Sequence, residues 1–229
     1  MNKKRNTILL MLMLLVSVVY AQRIGIQGAG VLSGLQQESA SKQGEFNILT
    51  GAVGGFDFEW RLKGNLSLST AALFEFRAAR YDISWYKPGT TYTRILYYGQ
   101  VPLYLNYRLP KNKINWLYYG GPRVTAGLFG STNEHYYLAS RPKLIENNPF
   151  GGANSLHRME LYFDAGFGLE VQQFQFKLHY GLPLVNNANV SDLSLLKQHQ
   201  LQLTVGVTLR KLKPKKDKVL PETTAVDIK

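Results

Sequence analysis

Cysteine is absent from this chain of 229 residues. Its absence excludes a disulfide framework, a thiolate metal site and the lipid-bearing cysteine of a lipoprotein. Long apolar runs are almost absent as well, because only residues 7–19 are continuously apolar. No later segment is long and apolar enough for a membrane helix, which takes about 20 residues. The rest of the chain is therefore either a soluble protein or one that crosses a membrane with strands.

A basic stripe with interleaved aromatic residues is also missing, although the formal charge is +12. Much of that charge lies outside the central part of the chain, in residues 3–5 and in the lysine-rich residues 211–218. Nucleic-acid binding needs clustered cations on one face, so we predict no nucleic-acid partner. Tyrosine, in contrast, is frequent, with 14 residues. This frequency fits a protein with many half-wet surfaces, such as the two interfaces of a membrane.

Residues 1–21 have the layout of a secretory signal peptide. A basic head is followed by an apolar run, and Val19 and Ala21 place small residues at the −3 and −1 positions of a cleavage site. We predict cleavage that leaves Gln22 as the mature N-terminus; the alternative is an uncleaved anchor. At the other end, residues 211–229 combine a charge run with two prolines, which predicts a disordered basic tail in the periplasm. The tail either binds an acidic partner or is only solvated.

The segment between them, residues 22–210, alternates apolar and polar residues over long stretches. In residues 157–171, for example, Leu161, Phe163 and Phe167 fall on one face, and Glu160 and Asp164 fall on the other. Such a period of two indicates strands with two different faces. Eight such strands can be recognised, each of about 10–15 residues, whereas strands of globular proteins average about 5–6. The first strand is weaker and rich in glycine. Pro102 and Pro122 lie inside strands, where we expect β-bulges.

The connections between these strands alternate in length. Short turns lie near residues 61–65, 110–115 and 172–173, and the intervening links, including residues 129–156, are longer. Trp60, Tyr107, Trp116 and Phe174 would all lie beside the short turns, as an aromatic girdle does. The pattern predicts an all-β fold, an eight-stranded antiparallel up-and-down transmembrane β-barrel. It would lie in the outer membrane of a Gram-negative bacterium, with both termini in the periplasm.

Three segments resemble one family of such barrels. They are ILYYGQVPLYLNYRL (95–109), INWLYYGGPRVTAGLFG (114–130) and FDAGFGLEVQQFQFKLHYGLPLVN (163–186). Their glycine, proline and aromatic placements are similar to those of PorT-like outer-membrane barrels, and the resemblance covers about residues 22–210. It implies a barrel fold. Because the family's namesake serves type IX secretion and gliding, it also implies a possible place in such an assembly, although many members have no known role.

The predicted inward face carries charges of both signs. It comprises Asp57, Glu59, Arg61, Glu75, Arg77, Arg94, Arg108, Arg123, Glu160, Asp164, Glu170, Lys177 and Arg210. An unpaired buried charge is costly, so these side chains should pair across a lumen that eight strands leave just wide enough for side chains. We therefore favour an ionic plug over an ion-conducting path.

Residues that could carry chemistry are few. Ser131, Ser155, His135 and His157 lie in or near the long third loop, with Glu134 and Glu160 as possible acids. His179 faces inward, and His199 lies at the start of the last strand. A nucleophile and its base must come within hydrogen-bond reach, which sequence cannot show. No histidine pair has metal-ligand spacing, and no glycine-rich phosphate loop follows a strand. We predict no catalytic residue, no metal and no cofactor.

The third loop, residues 129–156, is longer than a connector needs to be. It carries Tyr136, Tyr137, Arg141, Lys143 and Phe150, which would contact a partner or lipopolysaccharide phosphates, or else belong to a flexible lid. The leading interpretation is a non-enzymatic outer-membrane barrel with a structural or interaction role. Its predicted partners are outer-membrane lipid, lipopolysaccharide and other outer-membrane or periplasmic proteins, bound through this loop or the tail. A narrow channel or small-solute receptor and a lipid-modifying enzyme are the alternatives.

Overall fold

The computed structural model describes residues 21–39, 46–82, 90–136, 143–146, 150, 157–185 and 193–211. These residues form nine β-strands. The strands are β1 (Arg23–Ser39), β2 (Phe46–Arg61), β3 (Leu66–Asp82), β4 (Thr90–Lys111), β5 (Ile114–Tyr136), β6 (Lys143–Glu146), β7 (Met159–Val171), β8 (Phe174–Pro183) and β9 (Leu193–Lys211). In this described part of the chain, no helix is long and apolar enough to cross a membrane.

The eight long strands close into a barrel. Each pairs antiparallel with its neighbours in the order β1-β2-β3-β4-β5-β7-β8-β9, and β9 pairs back onto β1 along the whole length of β1. The four-residue β6 adds only to β5, at Thr132–Glu134, and is not part of the closed wall. The predicted eight-stranded antiparallel up-and-down barrel is confirmed. The glycine-rich first strand is fully paired on the β9 side, because backbone hydrogen bonding does not depend on side chains.

The two ends of the barrel differ, as the connection lengths predict. At one end, here called the short-turn end, tight turns join β2 to β3, β4 to β5 and β7 to β8. Gly64, Asn112 and Gln172 take positive φ values of 58°, 56° and 55° in these turns. Glycine and asparagine accept this backbone conformation at little cost. The opposite end, here called the long-loop end, carries the four long links.

The strands reach further into the long links than the sequence pattern indicates. β4 has 22 residues and β5 has 23, not the expected 10–15. Part of the predicted third loop is therefore strand, since β5 continues to Tyr136 and β6 pairs beside it. The alternation fades in these segments because a wall that rises above the lipid no longer needs an apolar outer face. The part of β4 and β5 beyond Tyr97 and Phe129, together with β6, is here called the outer extension.

The outward and inward faces have the polarity of a membrane barrel. Large apolar side chains remain exposed on the outside, for example Leu203 (62%) and Phe129 (52%). Charged side chains such as Arg77 and Asp164 are 0% exposed on the inside. A water-soluble protein buries these two classes the other way round. Trp60, Tyr107, Trp116 and Phe174 lie on the outer wall beside the short turns, as predicted.

A second group of aromatic side chains packs on the outer wall nearer the long-loop end. The Tyr97 ring lies 4.5 Å from that of Phe129 and 5.8 Å from that of Phe74, centroid to centroid. Phe76 contacts Tyr97 at 5.5 Å. The apolar wall is thus bordered by aromatic rings at both levels, the arrangement that marks the two interfaces of an outer-membrane barrel.

The predicted bulges at Pro102 and Pro122 are wrong. The β4–β5 register is the same on both sides of these residues, with Pro102 opposite Arg123 and Leu105 opposite Gly120. The shift between these strands falls instead between Tyr97 and Tyr98. Proline at position 122 is accommodated because Gly121, directly before it, lets the two backbones approach closely. A Cβ atom on Gly121 would lie 2.1 Å from the carbonyl oxygen of Leu103.

Candidate functional site

The barrel interior is the candidate site, and its polar side chains form three layers. The outer layer, nearest the long-loop end, surrounds Arg77 on β3. The Arg77 guanidinium donates hydrogen bonds to Glu75 (2.6 Å), to Glu160 across the lumen (3.0 Å) and to Gln198 (3.1 Å). It also lies 4.0 Å from the ring centroid of Tyr98, a cation–π contact. One cation thus bridges β3, β4, β7 and β9 in the outer layer.

The middle layer consists of Arg123, Asp164 and Tyr104. Arg123 donates two hydrogen bonds to the Asp164 carboxylate, from Nε at 2.7 Å and from Nη2 at 3.0 Å, and the Tyr104 hydroxyl donates a third. Such a two-pronged pair is geometrically specific as well as strong. Arg123 also lies 4.4 Å from the ring centroid of Tyr162, whose hydroxyl donates to Glu160 of the outer layer. The two layers are therefore in contact.

Four charged residues close the short-turn end and are here called the inner quartet: Arg23, Glu59, Arg108 and Glu170. Arg23 contacts Glu170 at 2.9 Å and Glu59 at 3.7 Å. Arg108 contacts the same two carboxylates, Glu170 from Nε at 3.1 Å and Glu59 from Nη2 at 2.6 Å. The charges balance, and each carboxylate meets both guanidinium groups. The quartet ties β1, β2, β4 and β7 together inside the wall.

The predicted pairing of luminal charges is confirmed for eight of the thirteen predicted residues, whereas Asp57 and Lys177 form no ion pair with a described residue. Arg61 is an exception, because it is exposed at the β2–β3 turn, where its Nε donates to the Gly64 carbonyl oxygen at 3.1 Å. At this turn the strand has passed the end of the lumen, so the alternation no longer places Arg61 inside the barrel. Arg94 is half-buried and donates to Thr132 at 3.2 Å. The side chain of Arg210 lies outside the described residues.

A small chamber separates the middle layer from the inner quartet. It has a volume of about 30 Å³ and is bordered by Asp57, Lys177, His179, Tyr119 and Gln202, among other side chains. The Tyr119 hydroxyl and His179 Nδ1 are hydrogen-bonded at 3.1 Å. Binding sites for drug-sized ligands measure about 300–1,000 Å³, so this chamber is far too small for an organic solute of that size.

Phe150 of the third loop lies buried in the outer mouth of the barrel, so its ring is not available for the contact with a partner or lipopolysaccharide predicted for this loop. Only 3% of it is exposed, and its ring meets the Tyr98 ring edge-on at 5.4 Å. A Cβ atom on Gly127 would lie 2.5 Å from the Phe150 ring, so this glycine makes the space that the ring fills. Tyr137 and Arg141 lie outside the described residues, and so do the side chains of Tyr136 and Lys143.

Replacing Phe150 with alanine should release the third loop from the mouth without unfolding the barrel. The ring contacts Leu96 and Tyr98 in one buried cluster, and emptying such a site removes most of its apolar contacts. We expect trypsin to cleave after Lys143 at least about tenfold faster in the Phe150→Ala variant, which corresponds to about 1.4 kcal/mol of lost anchoring. Phe129→Ala is the matched control, because that ring lies on the outer wall. Equal cleavage rates in the two variants would contradict the anchor.

Among the described residues, those weighed for enzymatic chemistry do not come together. Glu160 is engaged by Arg77 and Tyr162 inside the lumen. Ser155 and the side chain of Glu134 lie outside the described residues. Among the residues that the structure does describe, no hydrogen bond joins a serine to a histidine. His199 lies on the outer face within β9, which begins at Leu193, and is hydrogen-bonded at 2.7 Å to the Tyr180 hydroxyl.

Three interior residues, one aliphatic and two aromatic, were missed by the sequence reasoning. Leu96, Tyr98 and Tyr119 are buried in the lumen, although each looks like a residue of the apolar wall. The alternation along the strands does indicate that these residues point inward. Residues 94, 96, 98 and 100 of β4 share one face, so Tyr98 lies on the same face as Arg94, which the sequence predicts to point inward. Hydrophobicity alone does not distinguish Tyr98 from the residues of the apolar wall.

The fold and its interior define a membrane β-barrel with a side-chain-filled lumen. The sequence matches the model of the family described as outer membrane protein beta-barrel domain over residues 20–189. The chain belongs to this family and is an outer-membrane protein. None of the curated proteins compared with it matches. The predicted signal peptide and tail lie outside the described residues, apart from Ala21 and Lys211.

Several solved structures are similar to this chain. Neisserial surface protein A (NspA) is 10% identical, with a TM-score of 0.41, over 80% of this chain and 96% of that one. Ail, the attachment invasion locus protein of Yersinia pestis, is 12% identical, with a TM-score of 0.41, over 81% and 97%. The outer membrane protein OprG from Pseudomonas aeruginosa is 11% identical, with a TM-score of 0.41, over 83% and 97%.

Proposed function

We propose that this protein is a non-enzymatic outer-membrane barrel with a structural or interaction role, and that partners bind at its long-loop end. The observation that carries the proposal is the filled lumen. Arg77, Arg123 and the inner quartet place hydrogen-bonded ion pairs at three successive levels between the two mouths. A channel needs continuous space, and a receptor for organic solutes needs a larger cavity than the interior offers. The remaining surfaces are the loops, the tail and the outer wall.

The outer extension gives this protein a surface well above the lipid. Seven residues separate Tyr97, at the aromatic border, from Thr90 at the start of β4. At about 3.3 Å per residue and a tilt near 40°, the extension rises about 18 Å above that border. β6 adds to β5 on one side, and Ala79–Asp82 of β3 pair with Thr91–Arg94 of β4 on the other. This four-stranded surface continues the wall of the closed barrel and offers a partner protein a paired sheet to bind.

The orientation that we propose is supported by the same end-to-end difference. Barrels of this class have short turns on the periplasmic side and longer loops outside the cell. With eight strands, both ends of the barrel sequence then lie in the periplasm, together with the basic tail. In this orientation the outer extension and the third loop face lipopolysaccharide, which we propose as a contact together with partner proteins. An accessibility assay for an epitope inserted at residues 139–140 or after residue 229 in intact cells tests the orientation.

Planar bilayer recordings test the closed lumen. We expect the purified protein to give no step-like current, because each of the three levels blocks the path with buried side chains. The Arg108→Met variant should remain silent as well, since the outer and middle layers are unchanged. Current steps in the unaltered protein that change in size in Arg108→Met would show that ions pass the inner quartet, and they would favour the narrow channel over the interaction role.

Partner capture tests the interaction role directly. The protein is cross-linked in intact cells and purified from gently solubilised outer membranes, and the captured proteins are identified. Replacement of residues 137–142 by a glycine-serine linker should lose the partner, and replacement of Asn112-Lys113 in the opposite turn should keep it. Recovery of components of a type IX secretion or gliding assembly would support the finer proposal that the PorT-like sequence resemblance suggests. Recovery of the barrel alone, from membranes in which other complexes survive, would count against an interaction role.

A further inference from the structure

The small chamber at the centre of the lumen contains polar groups that the protein itself leaves without partners. The Lys177 ammonium can donate three hydrogen bonds, but the structure shows one, to Gln27 Oε1 at 3.2 Å. No ion pair within 4.0 Å joins Lys177 or Asp57 to another described residue, unlike the charges of the three layers. His179 Nε2 is buried without a hydrogen-bond partner, although the Gln202 side chain is nearby.

These groups face the same space. Asp57, Lys177 and His179 all border the chamber, and Lys177 keeps some accessible surface although it lies inside the barrel. The chamber is bordered towards the short-turn end by Glu59 and Arg108 of the inner quartet and towards the long-loop end by Tyr104 and Tyr119, whose ring centroids are 5.3 Å apart. A buried polar group without a partner costs free energy, so a site with several of them should hold a ligand that can both donate and accept.

We propose that the chamber is a binding site for ordered water, which bridges the Lys177 ammonium, the Asp57 carboxylate and His179 Nε2. The volume selects this ligand, because 30 Å³ holds about two water molecules and no organic solute. The charges agree with it, because two cations, Lys177 and Arg108, and two anions, Asp57 and Glu59, border the space and leave no net charge to attract an ion. Lys177 and Asp57 are thus a hydrated pair between ion-pair layers that exclude water.

Substitution of Ala71 tests the proposal, because a water-filled chamber and an empty chamber predict changes in stability of opposite sign. Ala71 borders the chamber from β3 and is 4% exposed. Ala71→Val adds two methyl groups to the space. In a wet chamber these displace water and leave Lys177 and Asp57 unsolvated, so the urea midpoint of unfolding should fall by about 1 M. In an empty chamber the same methyl groups would fill a void, and the midpoint should stay or rise.

The same substitution in a second variant of the protein distinguishes displacement of water from steric strain. In the Lys177→Met, Asp57→Leu double variant, the chamber no longer needs water, and adding Ala71→Val should leave the midpoint unchanged or raise it. If Ala71→Val lowered the urea midpoint equally in the parent protein and in the double variant, the cause would be steric strain, and the proposal would be overturned. A crystal structure at better than about 2 Å gives a direct measurement: we expect solvent density within hydrogen-bond distance of Lys177 Nζ, and an empty chamber would overturn the proposal as well.

Discussion

Replacement of Arg77 with methionine is expected to lower the free energy of unfolding by about 3–5 kcal/mol. Methionine fills a similar volume, so the effect reports on charge and hydrogen bonding more than on packing. The loss leaves the carboxylates of Glu75 and Glu160 in a layer where Glu75 is 0% exposed and Glu160 is 2% exposed. Water cannot replace the guanidinium there without opening the barrel. Urea unfolding of the protein refolded into lipid vesicles measures the change.

Arg61→Met is the matched control for this prediction. It removes the same side chain from the same barrel, but at an exposed turn, and should change stability by no more than about 0.5 kcal/mol. The triple variant Arg77→Met, Glu75→Gln, Glu160→Gln removes the charge on both sides and should recover much of the loss. If Arg77→Met and Arg61→Met were equally mild, the outer layer would not be the buried ion pair that the structure shows.

The face of each strand could be predicted from the sequence because a period of two has a direct physical cause. Lipid accepts only apolar side chains on the outer wall, so Phe163, Phe167 and Leu203 identify their strands and fix which residues point inward. The inward set then includes Arg77, Glu160 and Asp164 without knowledge of the structure. Strand number and the alternation of turn lengths follow from the same pattern. These features are visible in the sequence because contact with lipid requires an apolar side chain at every second residue of each strand.

The choice of partners inside the lumen could not be predicted in the same way. Arg77 on β3 meets Glu160 on β7, a contact between strands that are not neighbours and that are 83 positions apart in the chain. Which luminal residues lie at the same height in the barrel depends on how far each of the eight strands is shifted along its neighbours. The alternation pattern of one sequence does not reveal these shifts. Phe150 shows the same limit, because its burial depends on a space that Gly127 leaves on another strand.

The proline positions show where local rules mislead. A proline inside a strand removes a ladder hydrogen bond, and a bulge is one way to accommodate it. The barrel instead keeps its register and brings β4 and β5 close together at Gly121, whose φ is 155°. Residues with a Cβ atom rarely adopt this value. The glycine before Pro122 therefore matters more for the fold than the proline itself.

Replacement of Gly121 with alanine should consequently be among the most damaging single changes to the barrel. The new Cβ atom would lie 2.1 Å from the carbonyl oxygen of Leu103 and 3.3 Å from the Cα atom of Tyr104, both backbone atoms that side-chain rotation cannot move away. Backbone strain and overpacking each cost about 1–3 kcal/mol, so we expect a loss of about 3–5 kcal/mol and a smaller folded fraction on refolding. Urea unfolding and the fraction of heat-modifiable protein on gels measure the two effects.

Gly30→Ala is the control that makes this prediction specific. It adds the same single carbon to a strand glycine of the same barrel, but a Cβ atom there meets nothing within 4 Å. Because glycine inside a strand is less stable than alanine by about 0.5–1 kcal/mol, this variant should be as stable as the parent or more stable. A loss of stability in both variants would indicate that any added methyl group disturbs the wall. A loss confined to Gly121→Ala would place the effect at the contact with Leu103, where β4 and β5 meet around the middle layer and hold Tyr104 and Arg123 against Asp164.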